Sequence, residues 1–260
     1  MPVLLLKLIV TPLLIASATL SAKRWGQLVS GWLVGMPLTS GPILAYLTME
    51  HGCSFAAHAA LGSLGGAAAQ AGFVVGYCRS ARYGWPYALL AGTAGFLAVG
   101  LLVQQEHLAT LPLLALVLIS LALALVLVPQ LPYEPPQNGT SVANKLWLRM
   151  LISTGVVLTI TTLAPRLGPE LSGLLGTFPL FASLLAIFSQ QTYGPVAATH
   201  VLRGLLLGLF AFSGFFALIG CSITTLGAWT AFGLALLLTL AIQGGSLWWI
   251  CRRSTLLTAA

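Results

Sequence analysis

Two histidines stand at matching places in two similar stretches of this chain. His58, Gly62 and Gly66 follow one another at four-residue steps, and so do His200, Gly204 and Gly208. On a helix this spacing puts all three residues on one face. A Gly-x-x-x-Gly pair lets a second helix approach closely, so each histidine is expected to point toward protein. An imidazole there can bind a solute or exchange protons, because it titrates near neutral pH. The plainer role is an interhelical hydrogen bond. Arg203 lies about one turn beyond His200, where the first stretch has Leu61, and no acidic residue stands within a helical turn of it. It reads as a ligand for a buried anion, or as a side chain snorkelling to the cytoplasmic headgroups. Glu50, with His51 beside it, joins His58 and His200 as a candidate for proton coupling; the alternative for Glu50 is a solvated loop.

A second pair of signals is backbone chemistry. Pro37 and Pro179 stand in mostly apolar runs, "GMPLTS" and "TFPLFAS". Proline has no N–H, so the carbonyl four residues earlier loses its partner. Gly41-Pro42 adds another break in the first run. Inside a bilayer, freed backbone groups are tolerated only where protein or a water-filled cavity satisfies them. The pattern predicts two discontinuous helices lining a central site, each half-helix N-terminus bringing partial positive charge. A simple packing kink is the alternative. Thr39, Ser40 and Ser183 would add hydroxyls. The expected substrate-binding set is Pro37, Thr39, Ser40, His58, Pro179, Ser183, His200 and Arg203.

The elements that must position these residues are membrane helices. Hydrophobic residues make up 58% of the 260, charged residues only 6%, and the mean hydropathy is +0.99. A soluble domain carries about 25% charged residues. Spans need about 20 mostly apolar residues, and nine are predicted, at 2–20, 27–49, 53–78, 85–103, 110–128, 146–164, 170–190, 195–220 and 225–250. The Pro- and Asn-rich stretch 129–145 reads as a linker. With Lys23 and Arg24 in the cytoplasm, Arg79, Arg82, Lys145, Arg252 and Arg253 fall on the same side, and Arg149 just inside it. Glu50, Glu106 and Glu170 fall outside, with Arg166 the only basic loop residue there. This follows the positive-inside rule and predicts a cell-membrane protein with its N-terminus outside and its C-terminus in the cytoplasm. Gln190, Gln191 and Tyr193 are expected at the interface, as are Trp85, Trp147, Trp248 and Trp249. Ala16-Ser17-Ala18 looks like a signal-peptidase site, but Lys7 sits inside the apolar run rather than ahead of it, so 2–20 is taken as a span.

The chain repeats itself. Aligned at an offset of 142 without gaps, 30–72 and 172–214 share 13 of 43 residues, against about 3 expected by chance for such a composition, which marks a duplicated unit. Each unit holds four predicted spans. One unmatched, Leu/Ala-rich span, Leu111 to Val128, lies between them and is expected to face lipid. Four spans return the chain to its starting side and a fifth flips it. The second unit therefore enters upside down, as in many secondary transporters. The predicted fold is all-α and polytopic, a 4+1+4 inverted repeat with a proline-broken second helix in each unit. Its parts are 1–104, the linking helix and linker 105–145, and 146–260. Gly31, Leu33, Pro37 and Leu38, and "GLLGTFPLFASLLAIF" in the second unit, carry a G-x-L-x-x-x-P-L pattern. Each unit thereby resembles the small four-helix GlpM-like membrane proteins. That resemblance implies the fold and no activity.

Several function classes drop out. The net charge of +7 comes from basic pairs at the ends of apolar runs, a topology signal and not a nucleic-acid surface. Cys53, Cys78, Cys221 and Cys251 form no C-x-x-C and have no histidine at ligand spacing, so no metal site is expected. The Asn138-Gly139-Thr140 sequon falls in the predicted cytoplasmic linker. No phosphate-binding loop, H-E-x-x-H or G-x-S-x-G is present, so neither ATP coupling nor an enzyme is expected, and no cofactor. The expected function is a secondary transporter or permease with alternating access between the two units. Its solute would be small and anionic or zwitterionic, since Arg203 and two histidines lie in spans while every Glu sits at a span end or in a loop. The alternative is a non-transporting assembly factor or complex subunit. The lipid bilayer and the solute are the expected partners, with a homo-oligomer allowed.

Overall fold

The computed structural model describes the backbone of residues 2–105, 108–128, 146–163 and 177–258. These residues form helices and no strand: α1 (Pro2–Trp25), α2 (Gln27–Val34), α3 (Ser40–Ser80), a short 3₁₀ turn (Ala81–Tyr83), α4 (Trp85–Gln105), α5 (Thr110–Leu127), α6 (Leu146–Leu163), α7 (Leu180–Tyr193), α8 (Pro195–Leu226) and α9 (Ala228–Thr258). Glu106, Arg166, Glu170, the linker 129–145 with its sequon and the first part of the predicted seventh span lie outside the described residues.

Five helical stretches are long and apolar enough to cross a membrane: Ser40–Tyr83, Trp85–Val103, Thr110–Leu127, Pro195–Leu226 and Ala228–Ser246. They fit a membrane location. The predicted second span, 27–49, is not one helix. α2 ends at Val34 and α3 begins at Ser40, with Pro37 in the gap. In the second unit Thr177 is helical, Phe178 and Pro179 are not, and α7 starts at Leu180. Both proline motifs thus break their helices, leaving pieces of 8 and 14 residues in α2 and α7, too short to cross alone.

Glycine makes the remaining corners. α3 is interrupted at Gly52 (φ 86°, ψ 173°), and Gly194 joins α7 to α8 at φ 90°, ψ 176°. These two positions are 142 residues apart. Gly84 (φ 105°, ψ 159°) leads into α4, and Gly227 (φ 80°, ψ 166°) leads into α9, 143 residues later. This extended backbone with positive φ is closed to residues bearing a Cβ. Gly194→Ala is therefore expected to destabilise by about 1–3 kcal/mol, read as a lower unfolding temperature in detergent. Gly233→Ala, on an exposed helical stretch with open space around it, should leave that temperature unchanged or raise it.

α8 is the central helix. It packs on α2, α3, α5, α7 and α9, and residues from Ala197 through Ile223 are buried along it. α3 packs on α4 and α5, and α1 on α2 and α6. α5, expected to face lipid, exposes Leu111, Ile119, Leu123 and Val126 and buries one stripe, Leu113, Val117, Leu121 and Ala124. That is how a helix sits when protein covers one side and lipid the other.

Candidate functional site

The glycines bring the broken helices onto their neighbours. A Cβ placed at Gly31 or Gly204 would fall on the backbone carbonyl of Val201 or Leu28, and one at Gly208 would lie 2.7 Å from the Cα of Gly35. α2 and α8 therefore cross backbone to backbone, each through glycines four apart. Across the repeat, a Cβ at Gly66 would lie 2.7 Å from the Cβ of Thr177, and Thr177 is the counterpart of Gly35. Gly62 was expected in the same contact. No described atom lies within 4 Å of a Cβ there.

Between the two breaks lies a cavity of about 110 Å³. Gly35, Met36, Thr39, Ser40, Ser63 and Gln70 line it, and so do Thr177, Phe178, Phe181, Ala182, Leu205 and Phe212, each 142 residues further on. Val34, Pro179, Leu180 and Leu209, whose counterparts are not among the described residues that line it, complete the wall. α3 and α7 both begin here. A helix leaves its first N–H groups without intrahelical acceptors, and among the described residues no backbone carbonyl accepts the N–H of Thr39, Ser40, Phe181 or Ala182. Thr39 is the N-cap of α3, yet its side chain makes no capping bond. Gln70 donates its amide Nε2 to the Thr177 carbonyl, 3.2 Å, across the two units. No charged side chain lines the cavity among the described residues.

Of the expected substrate-binding set, Thr39, Ser40 and Pro179 line this cavity. Pro37 is buried beside it without lining it, and Ser183 is buried with its hydroxyl on the Leu180 carbonyl at 2.9 Å. His58 does not flank the site. It is exposed, with Nδ1 2.8 Å from the Ser54 carbonyl of its own helix. On α3 the cavity is lined by Ser63 and Gln70, seven residues apart and so on one face; His58 stands five residues before Ser63, on another face. His200 is half-buried and away from the lining. Glu50 pairs with His51 at 3.9 Å on an exposed end of the first arm of α3, about 15 Å along the helix from Ser40 at 1.5 Å per residue.

Arg203 departs most from expectation. It is buried, and its Nη1 donates to the Leu125 carbonyl at 3.0 Å and to the Val128 carbonyl. These are the last carbonyls of α5. A helix C-terminus has orphan acceptors and partial negative charge, and a guanidinium satisfies both. Arg203 is not among the described residues that line the cavity; its guanidinium caps α5.

Sequence reasoning missed Ser63, Gln70, Thr177, Phe181 and Phe212. Gln70 was findable: it is an amide in the run "GSLGGAAAQAGF", and a polar group there needs a partner. Gln190, expected at the interface, ties the units together. It accepts from the Tyr77 hydroxyl and donates to the Ala81 carbonyl, both at 2.8 Å, while the neighbouring Ser189 donates to Gln27 Oε1 at 3.0 Å. Compared with protein families, curated proteins and solved structures, the chain matches none.

Proposed function

We propose that the chain is a secondary transporter of a small anionic or zwitterionic solute. It would work by alternating access between two inverted units, 1–104 and 146–260, joined through the linking helix α5. The observation that carries this reading is the cavity between the two proline breaks, lined by residues 142 apart in the sequence. A duplicated unit related to its partner by a twofold axis brings equivalent residues together only at that axis, and transporters of this architecture bind there. The matched backbone at Gly52 and Gly194 supports the same relation. Nine crossings, counting each broken helix with its two halves as one, give an outside N-terminus and a cytoplasmic C-terminus.

The preference for negative charge rests on the expected half-helix N-termini and not on Arg203 and the histidines. Arg203 and the histidines lie elsewhere, while two half-helix N-termini meet at the cavity, and among the described residues no backbone carbonyl accepts their first N–H groups. Such ends favour an anion or a carboxylate. The test is uptake into proteoliposomes of labelled acetate, glycine and phosphate. Saturable uptake of at least one is expected. It should fall at least tenfold in Ala182→Phe, which fills the cavity, with the unfolding temperature retained. Uptake no faster than in empty liposomes for all three overturns the transport reading, and co-purifying subunits would then favour an assembly factor.

A further inference from the structure

The two walls of the cavity are chemically unlike, although they come from equivalent positions. Thr39, Ser63 and Gln70 in the first unit correspond to Phe181, Leu205 and Phe212 in the second. Each pair is polar in the first unit and apolar in the second. The polar side has hydrogen-bonding capacity left over. The Thr39 hydroxyl caps nothing, and Gln70 commits its amide nitrogen to Thr177 while its carbonyl oxygen remains an acceptor.

We propose that the cavity binds a small amphiphilic solute in one orientation, its polar head toward Thr39 and Gln70 and an apolar tail of about two or three carbons against Phe181, Leu205 and Phe212. This rests on the cavity being the transport site. Size sets one limit. At about 110 Å³ the cavity is smaller than the ~150 Å³ apolar cavity that takes benzene, so the solute has about six non-hydrogen atoms or fewer. Polarity sets the other. A group with hydrogen-bonding atoms all round, such as phosphate or glycerol, would turn some of them to two phenyl rings and a leucine. Those atoms would leave water without new partners, which is costly. A short carboxylate turns only carbon that way, and each methylene buried gains about fourfold in affinity.

The experiment is titration of the full-length protein in nanodiscs with acetate, propionate and butyrate, and with phosphate and glycerol, against empty nanodiscs. Affinity is expected to rise about fourfold per methylene, with phosphate and glycerol at least tenfold weaker than butyrate. Phe181→Thr restores the residue type found at Thr39 and should flatten the series to less than twofold per methylene while acetate binding holds. Phe181 is only half-buried, so this change should fold; Phe212→Gln is the second variant. Phosphate or glycerol binding as tightly as butyrate, or a series unchanged in both variants, overturns the orientation while uptake of any solute keeps the transport reading. No saturable binding of any probe overturns the inference as well, and the uptake assay then decides the transport reading separately.

Discussion

Gly204→Ala is expected to remove most of the folded protein, although it adds one methyl group. The added Cβ would fall on the Leu28 carbonyl oxygen and within 2.8 Å of the Trp32 amide nitrogen. Both are backbone atoms, so no side chain can rotate away. Relief requires α2 and α8 to separate, and α8 is also the helix on which α3, α5, α7 and α9 pack. Overpacking a core typically costs about 1–3 kcal/mol, and a clash between two backbones belongs at or above the top of that range. Gly31→Ala should behave alike, since its Cβ would strike the Val201 carbonyl in the same crossing. The double variant should be little worse than either single one, because neighbouring changes that relax by one movement are not additive. Gly66→Ala should be milder, as the atoms it meets belong to the Thr177 side chain. Gly62→Ala should be tolerated. Monodisperse yield and unfolding temperature in detergent measure all five. A Gly204→Ala protein with wild-type yield and unfolding temperature would show that this crossing is not as close as described.

The repeat made much of this legible. Pro37 and Pro179 mark real breaks, but a missing N–H alone does not decide this: Pro12 lies inside α1, and Pro42, expected to add another break, sits in the first turn of α3 without one. The glycine spacing at 204 and 208 marks a real crossing because only close backbones need two bare positions on one face. His58 does not point into protein as its glycine spacing suggested, for a related reason. Sharing a face with a glycine says which way a side chain points at that turn, but His58 lies two turns from Gly66, and of Gly62 and Gly66 only the latter is approached by a described neighbour. Gln70 and Phe212 were missed because a periodicity of identical residues draws attention to matches. The cavity is built at positions where the two units differ, and an alignment scores those as noise.

Arg203 was legible as unusual and illegible in its role. A lone cation among apolar residues must find acceptors, but the sequence does not say that they belong to a helix end 75 residues earlier. The two roles separate cleanly by experiment. Arg203→Met would leave the Leu125 and Val128 carbonyls unpaired, at about 1–3 kcal/mol for each buried group. It would also remove the favourable charge at the C-terminus of α5. The expected result is a loss of about 2–5 kcal/mol, seen as a markedly lower unfolding temperature. Arg203→Lys keeps the charge but not the planar fork, and should fall between. Solute affinity of the folded fraction should stay within about twofold of wild type, because Arg203 does not line the cavity. An anion ligand would give the opposite pattern, in which affinity falls tenfold or more while the unfolding temperature holds. That outcome would return Arg203 to the site and require the cavity to extend along α8 past Leu205.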